Sequence, residues 1–561
     1  MTYLLSAINA KYIHSNPAVY SLYYYTVDKH AKQGYEIPHI TIIEHTINNQ
    51  LEDILEDIYS AKPDFIGFSC YIWNIRYINE LIVELHKLLP DTHIWVGGPE
   101  VSYDPIQYLT DMPMVKGVIC GEGEETFHQL VMNYELKSAD LSNIKGICFK
   151  SDLGIISTDI PNTIPMDEIP FIYRDMDDFT NRIIYYESSR GCPFSCSYCL
   201  SSIDKCVRFR SIELVEKELQ FFIDQQIPQV KFIDRTSNCN PDRAFRIWKY
   251  IHEHDRGITN FHFEIAGDLL NEAQLELIKD FRPGLIQFEI GVQSTNPDTI
   301  QEIRRKCDFK KLKENVLQIE SFKNIHQHLD LIAGLPYEDI HSFRDSFNQV
   351  YSLKPNQLQL GFLKVLSGSH MKDMVKDYHL SYRSLPPYQV LVTKWLSHDD
   401  VLRLKHIEQV VEIYYNSNQF ANSIKYLEQF FDTAFDMYDK LGDYYYRTFD
   451  TGVKHSRIFR YNFLLDFFQK ILGEEIEQIN HFKQLLTLDV YLRENIKTRP
   501  DFAVNLDVYH KILTNIKKAN SLPNQAHIEI FMDKGRERYV YFDYNSRDSL
   551  TNNATLKELE I

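Results

Sequence analysis

The sequence predicts an α/β protein in three parts: a mostly parallel sheet with helices on both faces over residues 1–140, a partial (β/α)6 barrel over 179–385, and a mainly helical extension over 386–561. A hairpin and linker fill residues 141–178. Three observations predict this. In the first 135 or so residues, short apolar runs alternate with segments whose apolar residues recur at three-and-four spacing. Six more such runs follow by residue 366, and beyond residue 385 the period becomes helical and strongly aromatic. A chain of 561 residues also exceeds what one core can serve, since single cores stop growing near about 250 to 300 residues.

In the first part YLLSAIN, HITIIEHT, DFIGFSCYIW, HIWVGG and KGVICG read as strands, separated by amphipathic helices. Ligands of such sheets lie beyond the strand carboxyl ends, where the strand order reverses. The candidate residues there are Asn9 to Asn16, Ser69, Tyr71, Gly97, Gly98, Pro99 and Gly121 to Glu124. KGICFK and GIISTDI form the hairpin, and the prolines of IPNTIPMDEIP keep the linker extended. RIIYYESS, QVKFIDRT, NFHFEIAG, LIQFEIGVQS, HQHLDLIAGLP and QLQLGFLKVL supply the six strands of the barrel, where chemistry gathers at the carboxyl ends. In the extension, VLRLKHIEQVVEIYY and YLEQFFDTAFDMYDKLGDYYY are helical, with aromatic residues spaced as core. IEIFMDKGRERYVYFDY reads as a hairpin with a Lys534-Gly535 turn, followed by a polar tail.

The formal net charge of −18 disfavours indiscriminate nucleic-acid binding. No run of residues is long and apolar enough for a membrane span, and the start lacks the pattern of a signal peptide, so a cytoplasmic protein is expected. Nine cysteines in such a chain point to metal or redox chemistry rather than a disulfide framework. Three are clustered. Cys192, Cys196 and Cys199 lie in RGCPFSCSYC, directly after the first barrel strand. The C-x3-C-x2-C spacing lets one loop wrap three thiolates around an iron–sulfur centre. Structural zinc would need a fourth close ligand, and neither Cys206 nor a nearby His has the usual zinc-pair spacing. Cys206, Cys239 and Cys307 read as isolated thiols.

From about residue 180 to 375 the chain resembles the radical S-adenosylmethionine (SAM) superfamily, whose signature is this triad with an aromatic, here Tyr198, before the last cysteine. The resemblance implies a [4Fe-4S] cluster whose fourth iron binds SAM, reductive cleavage of SAM to a 5′-deoxyadenosyl radical, and an electron donor such as flavodoxin or ferredoxin. It also implies SAM contacts at Tyr198, Asp234, Thr236, Glu264, Gln293, Arg305 and Asp330. Arg304 adjoins Arg305, leaving the register open by one residue.

A βα domain ahead of such a barrel resembles the cobalamin-binding class of that superfamily, with a Rossmann-like domain admitting the corrin. Asn9, Ser69, Tyr71, Gly97, Gly98 and Glu122 are the implied contacts. The D-x-H-x-x-G signature of a histidine lower ligand is missing: the loop reads NAKYIHSNP, so His14 is expected to serve the loop instead. Together with the extension, the chain resembles an uncharacterised bacterial branch of cobalamin-dependent radical SAM proteins. That implies methyl transfer to an unactivated carbon or phosphorus of a small-molecule or unidentified substrate, while no motif marks a catalytic residue. Two alternatives stay open. An RNA-modifying methylthiotransferase would carry a second cysteine trio, whereas Cys70, Cys120 and Cys148 are scattered; a cobalamin or cluster sensor would be catalytically silent.

Overall fold

The computed structural model describes the whole chain except Ala139, residues 449–454, Glu474, Asn524, Lys534 and Ile561. It forms two compact units, one of Met1–Gln274, Gln301–Lys306 and Phe362–Lys394, the other of Leu275–Ile300, Cys307–Gly361 and Trp395–Ile561.

The first unit opens with a seven-stranded sheet. Its strands are β1 (Thr2–Asn9), β2 (His39–Thr46), β3 (Phe65–Ser69), β4 (His93–Gly97), β5 (Gly117–Ile119), β6 (Ile147–Ser151) and β7 (Gly154–Ser157), in the order β2-β1-β3-β4-β5-β6-β7. The first five run parallel, and β6 and β7 add an antiparallel edge. The hairpin assigned to the linker is therefore the border of this sheet. Helices Pro17–Gln33, Leu51–Ala61, Ile75–Leu88 and Glu124–Glu135 fall where the periodicity places them. Ile54, Ile58, Ile78, Leu81 and Leu85 pack on Leu4, Ile66 and Val96 as a dry layer, each side chain contributing about 1.5 to 3 kcal/mol by leaving water.

β3 is shorter than the apolar run DFIGFSCYIW suggests, because Asn74 turns the chain. Its Oδ1 accepts from the Tyr71 N–H at 2.7 Å, and its Nδ2 donates to the carbonyls of Ile8 and Ser69. After β4 come two helices the periodicity does not show, Pro99–Ser102 and Pro105–Asp111. Proline occupies the first turn of each, where its missing N–H costs nothing.

Three strands of the barrel, Ile184–Tyr186, Gln229–Phe232 and Asn260–Ile265, lie parallel in the first unit, Val230 facing both Ile184 and Phe261. The second unit carries the other three, Ile286–Gln293, His326–Ala333 and Gln357–Phe362. In it, the helix His398–Val411 starts on a capping box between Ser397 and Asp400. That helix then widens into a π turn over Glu412–Asn416. There Asn416 leaves the helical surface to bond both backbone groups of Leu358 at 2.9 Å. The aromatic residues of the extension are core: Tyr414, Tyr438 and Tyr461 are fully buried. Its end is a three-stranded antiparallel sheet, His527–Asp533, Arg536–Arg547 and Ala554–Leu559, so the expected polar tail supplies a third strand. Lys534 of the expected turn lies outside the described residues. Among the described residues no helix is long and apolar enough to cross a membrane.

Behind the sheet, the buried rings of His30 and His128 meet edge to face at 4.9 Å. Burial drives the His128 pKa down from 6.5 to about 4, against the pull of Glu125. The unfolded chain thus binds a proton over that interval that the folded one refuses, so stability must drop as pH falls from 6.5 towards 4. Urea unfolding should register a loss on the order of 1 kcal/mol across the window, and His128→Phe should flatten that part of the profile.

Candidate functional site

The triad loop leaves the strand Ile184–Tyr186 and is fixed from several sides. The Cys192 N–H donates to the Asp204 carbonyl at 2.9 Å, and that of Cys199 to the Cys196 carbonyl at 3.2 Å. The Ser197 N–H reaches the Ile303 carbonyl at 2.9 Å, and the Met371 N–H reaches the Ser197 carbonyl at 2.8 Å. Gly191, at φ +92°, lets the loop pass so close that a Cβ would stand 2.5 Å from the Cys206 carbonyl oxygen. Cys192 and Cys196 are buried and Cys199 half-buried.

A single tetrahedral zinc would draw three thiolates to within about 3.8 Å of one another. Among the described residues, the group whose ligand atoms all lie within 4.8 Å is Glu289, His328 and Asp330, not the triad. The cysteines are spread more widely than one ion requires, which fits a multi-iron cluster held at its corners. Arg305 completes the loop's surroundings: its Nη1 lies 3.5 Å from the Tyr198 hydroxyl and 4.0 Å from Cys196 Sγ. Burial pushes the Cys196 thiol pKa up, and the Arg305 charge opposes that shift. Arg304 instead turns outwards to His370, 2.8 Å away, which decides the register for Arg305.

The other implied SAM positions divide by chemistry. Thr236 Oγ1 lies 3.9 Å from Cys192 Sγ. Glu264 is half-buried between the buried Phe263 and Ile265, and its backbone carbonyl accepts from the Ser237 N–H at 2.8 Å. Asp234 is a clasp: buried, it accepts from the Ser188 and Ser189 N–H groups at 2.8 and 3.0 Å and from the Ser188 hydroxyl at 2.5 Å. Burial raises its pKa to about 6 despite those bonds. Its job is to shape the chain leading into the triad. In the second unit, Gln293 ends its strand at φ +73° with a buried Oε1 that lacks a hydrogen-bond partner, a group suited to a ligand. Asp330 is paired with the buried His328 at 3.0 Å.

The first unit also holds a cavity of about 780 Å³. Ser69, Tyr71, Gly97, Gly98 and Glu122 all line it. Ser69 and Gly97 are register partners on β3 and β4. Gly98 has φ +108°, and a Cβ there would meet the Cys70 carbonyl oxygen at 2.5 Å, so only glycine permits this floor. Asn9 does not line the cavity; it is buried beneath the loop, donating to the His14 carbonyl and to Glu44. His14 pairs with the Tyr185 hydroxyl through Nδ1 at 2.5 Å and bridges to Ile183, serving the loop. Cys70 and Cys148 are core thiols, Cys120 is half-buried, and burial raises all three pKa values.

The opposite wall includes Tyr185, Glu187 and Arg190 of the barrel. Two ion pairs fasten that strand to the sheet domain. Before it, Arg182 binds Glu44, which also accepts from Tyr20 and the Asn16 N–H. After it, Arg190 binds Glu124 at 2.7 Å, Glu187 at 2.9 Å and Glu122 at 3.3 Å. Burial alone would raise the Glu124 carboxyl, but Arg190 overrides it and holds the group below its usual range. Arg208 also grips Glu122, so the GEGEETF segment meets a row of arginines. Glu44, Arg182 and Arg190 were not singled out from sequence, where each is one charge among many.

Models of known families match in the same order: a B12 binding domain over residues 27–131, the radical SAM superfamily over 186–350, and a domain of unknown function, DUF4080, over 376–555. The chain is 23% identical over 431 residues to the 2-(S-pantetheinyl)-carbapenam-3-carboxylate methyltransferase of Streptantibioticus cattleyicolor, covering 69% of this chain and 62% of that one. It is 24% identical over 350 residues to the cobalamin-dependent radical SAM methyltransferase TokK of Streptomyces tokunonensis, covering 58% and 50%. The chain thus spans half to three fifths of these relatives' own length. Its fold is similar to that of OxsB, a cobalamin-dependent SAM radical enzyme solved with aqua-cobalamin and SAM, with a TM-score of 0.58 and 14% identity over 93% of this chain and 82% of that one.

A B12-binding sheet leading into a triad-bearing parallel core defines the class, a cobalamin-binding radical SAM protein. More narrowly, the chain is one of those whose two cofactor domains are followed by a carboxyl-terminal DUF4080.

Removing one member of a buried ion pair strands the other. Arg190→Ala should therefore destabilise the first unit by about 3 kcal/mol, read as a lowered urea midpoint. Adding Glu124→Gln should recover part of that loss.

Proposed function

We propose that the protein is a cobalamin-dependent radical SAM enzyme of the cytoplasm that reductively cleaves SAM at a [4Fe-4S] cluster and methylates an unactivated carbon or phosphorus of a small molecule. One observation carries the proposal: the cavity floored by Gly97 and Gly98 has, as its opposite wall, the strand end that leads into Cys192. A corrinoid seated there would lie beside the residues that carry the cluster. When bound, the cluster would supply an electron to the SAM sulfonium and the corrinoid a transferable methyl group.

The chain's own residues prepare the site. Cys192, Cys196 and Cys199 hold the cluster, and burial of the first two keeps water from it. Arg305 favours the thiolate of Cys196 and leaves a cation at the open side. Gln293 offers a buried acceptor to SAM, and Thr236 and Glu264 stand at neighbouring strand ends. Ser69, Tyr71 and Glu122 contact the corrinoid. Tyr71 stacks on Trp73 at 4.5 Å with an interplanar angle of 4°, a rigid lip to the cavity. A one-electron carrier of the flavodoxin or ferredoxin type supplies the reducing equivalent.

Anaerobic reconstitution should give about four irons per chain and, with SAM and reductant, 5′-deoxyadenosine. Replacing any cysteine of the triad by Ala should abolish that product. About eight irons per chain would favour a methylthiotransferase, and corrinoid binding without any SAM cleavage would favour a sensor.

A further inference from the structure

The chain carries 78 acidic and 60 basic residues, yet residues 301–313, QEIRRKCDFKKLK, hold six basic and two acidic ones. Both acids are engaged: Glu302 binds the Tyr378 hydroxyl, and Asp308 caps the next helix through the Lys311 N–H. The basic run starts on the triad loop, because the Ser197 N–H is held by the Ile303 carbonyl. Two residues further on, adjacent arginines diverge. Arg305 turns in to Cys196 and Tyr198, whereas Arg304, in the left-handed region at φ +55°, turns out to His370 and is exposed. Lys306 is exposed as well, and the chain continues through exposed Lys310, Lys311 and Lys313.

We infer that Arg304 and Lys306, with the lysines that follow, form the docking surface for an acidic one-electron carrier of the flavodoxin or ferredoxin class. This rests on the radical SAM reading. A negatively charged partner is repelled by the chain as a whole, so a local cationic patch determines where it lands and how fast. Of all the surface, this patch is the stretch whose backbone bonds the triad loop and whose next side chain touches a triad sulfur. The step is simple: the partner's reduced cofactor loses one electron, the cluster gains it, and no bond or proton moves. Arg305 separates the docking face from Cys196 and holds positive charge where the electron arrives. A nucleic-acid partner would also seek cations, but nothing else here supports one: aromatic side chains for base stacking do not accompany the run.

The test uses the full-length protein and a purified acidic flavodoxin. Binding measured by titration should weaken about tenfold between low and physiological salt, and Arg304→Glu/Lys306→Glu should weaken it at least about tenfold at low salt. A second variant, Lys306→Glu/Lys310→Glu, keeps the Arg304–His370 bond and should show the same direction. In the reconstituted protein both variants should lose SAM cleavage driven by reduced flavodoxin while keeping cleavage driven by dithionite, a small reductant that needs no docking. Unchanged flavodoxin affinity in both variants overturns the inference, as does equal loss with either reductant, or salt-sensitive RNA binding without flavodoxin binding. A wild-type protein that cleaves no SAM even with dithionite would instead remove the enzyme reading beneath it.

Discussion

The short strand Ile184–Tyr186 is gripped at both ends, and the placement of both cofactor regions follows from that grip. Arg182 before it and Arg190 after it each insert into carboxylates of the sheet domain, Glu44 and Glu124, whose side chains are 6% and 5% exposed. Charges so deeply removed from water are tolerable only when paired, so neither arginine can drift without large cost. Two residues after Arg190 the first cysteine appears. The electrostatic constraint that seats the barrel strand against the sheet therefore also sets where the triad loop begins.

A second layer of fixing lies in hydrogen bonds rather than charge. Asp234 gathers the Ser188 and Ser189 amides, and Asn238 exchanges both of its amide atoms with the backbone of Ala266. Together they tie the ends of three consecutive parallel strands. Strand ends leave backbone donors and acceptors without ladder partners, and side chains two or three positions on satisfy them. Polar residues at these ends have two possible employers, ligand and backbone, and Asp234 serves the backbone.

That double use marks the limit of what the sequence reveals. The triad was legible because cysteine spacing encodes a loop that needs no distant partner. The parallel strands were legible because apolar runs bounded by turns have few other fates. Gly97 and Gly98 were legible as a close approach, although Gly98 also serves to pass the Cys70 backbone. Asn9 and Asp234 have the same residue types and positions as ligand contacts, and only the neighbouring strands show where their hydrogen bonds go. Likewise ATLKEL reads as a solvated tail until Arg536–Arg547 offers it an edge. Charge pairs such as Arg182 with Glu44 span 138 positions, a separation at which one sequence carries no pairing signal.

The paired carboxylates and arginines also bear on modularity. Sheet domain and barrel are often thought of as interchangeable parts, joined by a linker of any workable length. Here the seam is written in complementary charge on both sides, so a chimera that imported a foreign sheet domain would bury bare guanidinium groups unless the matching acids travelled with it. Grafts across this seam would have to move Glu44, Glu122 and Glu124 as one set, or replace the arginines facing them.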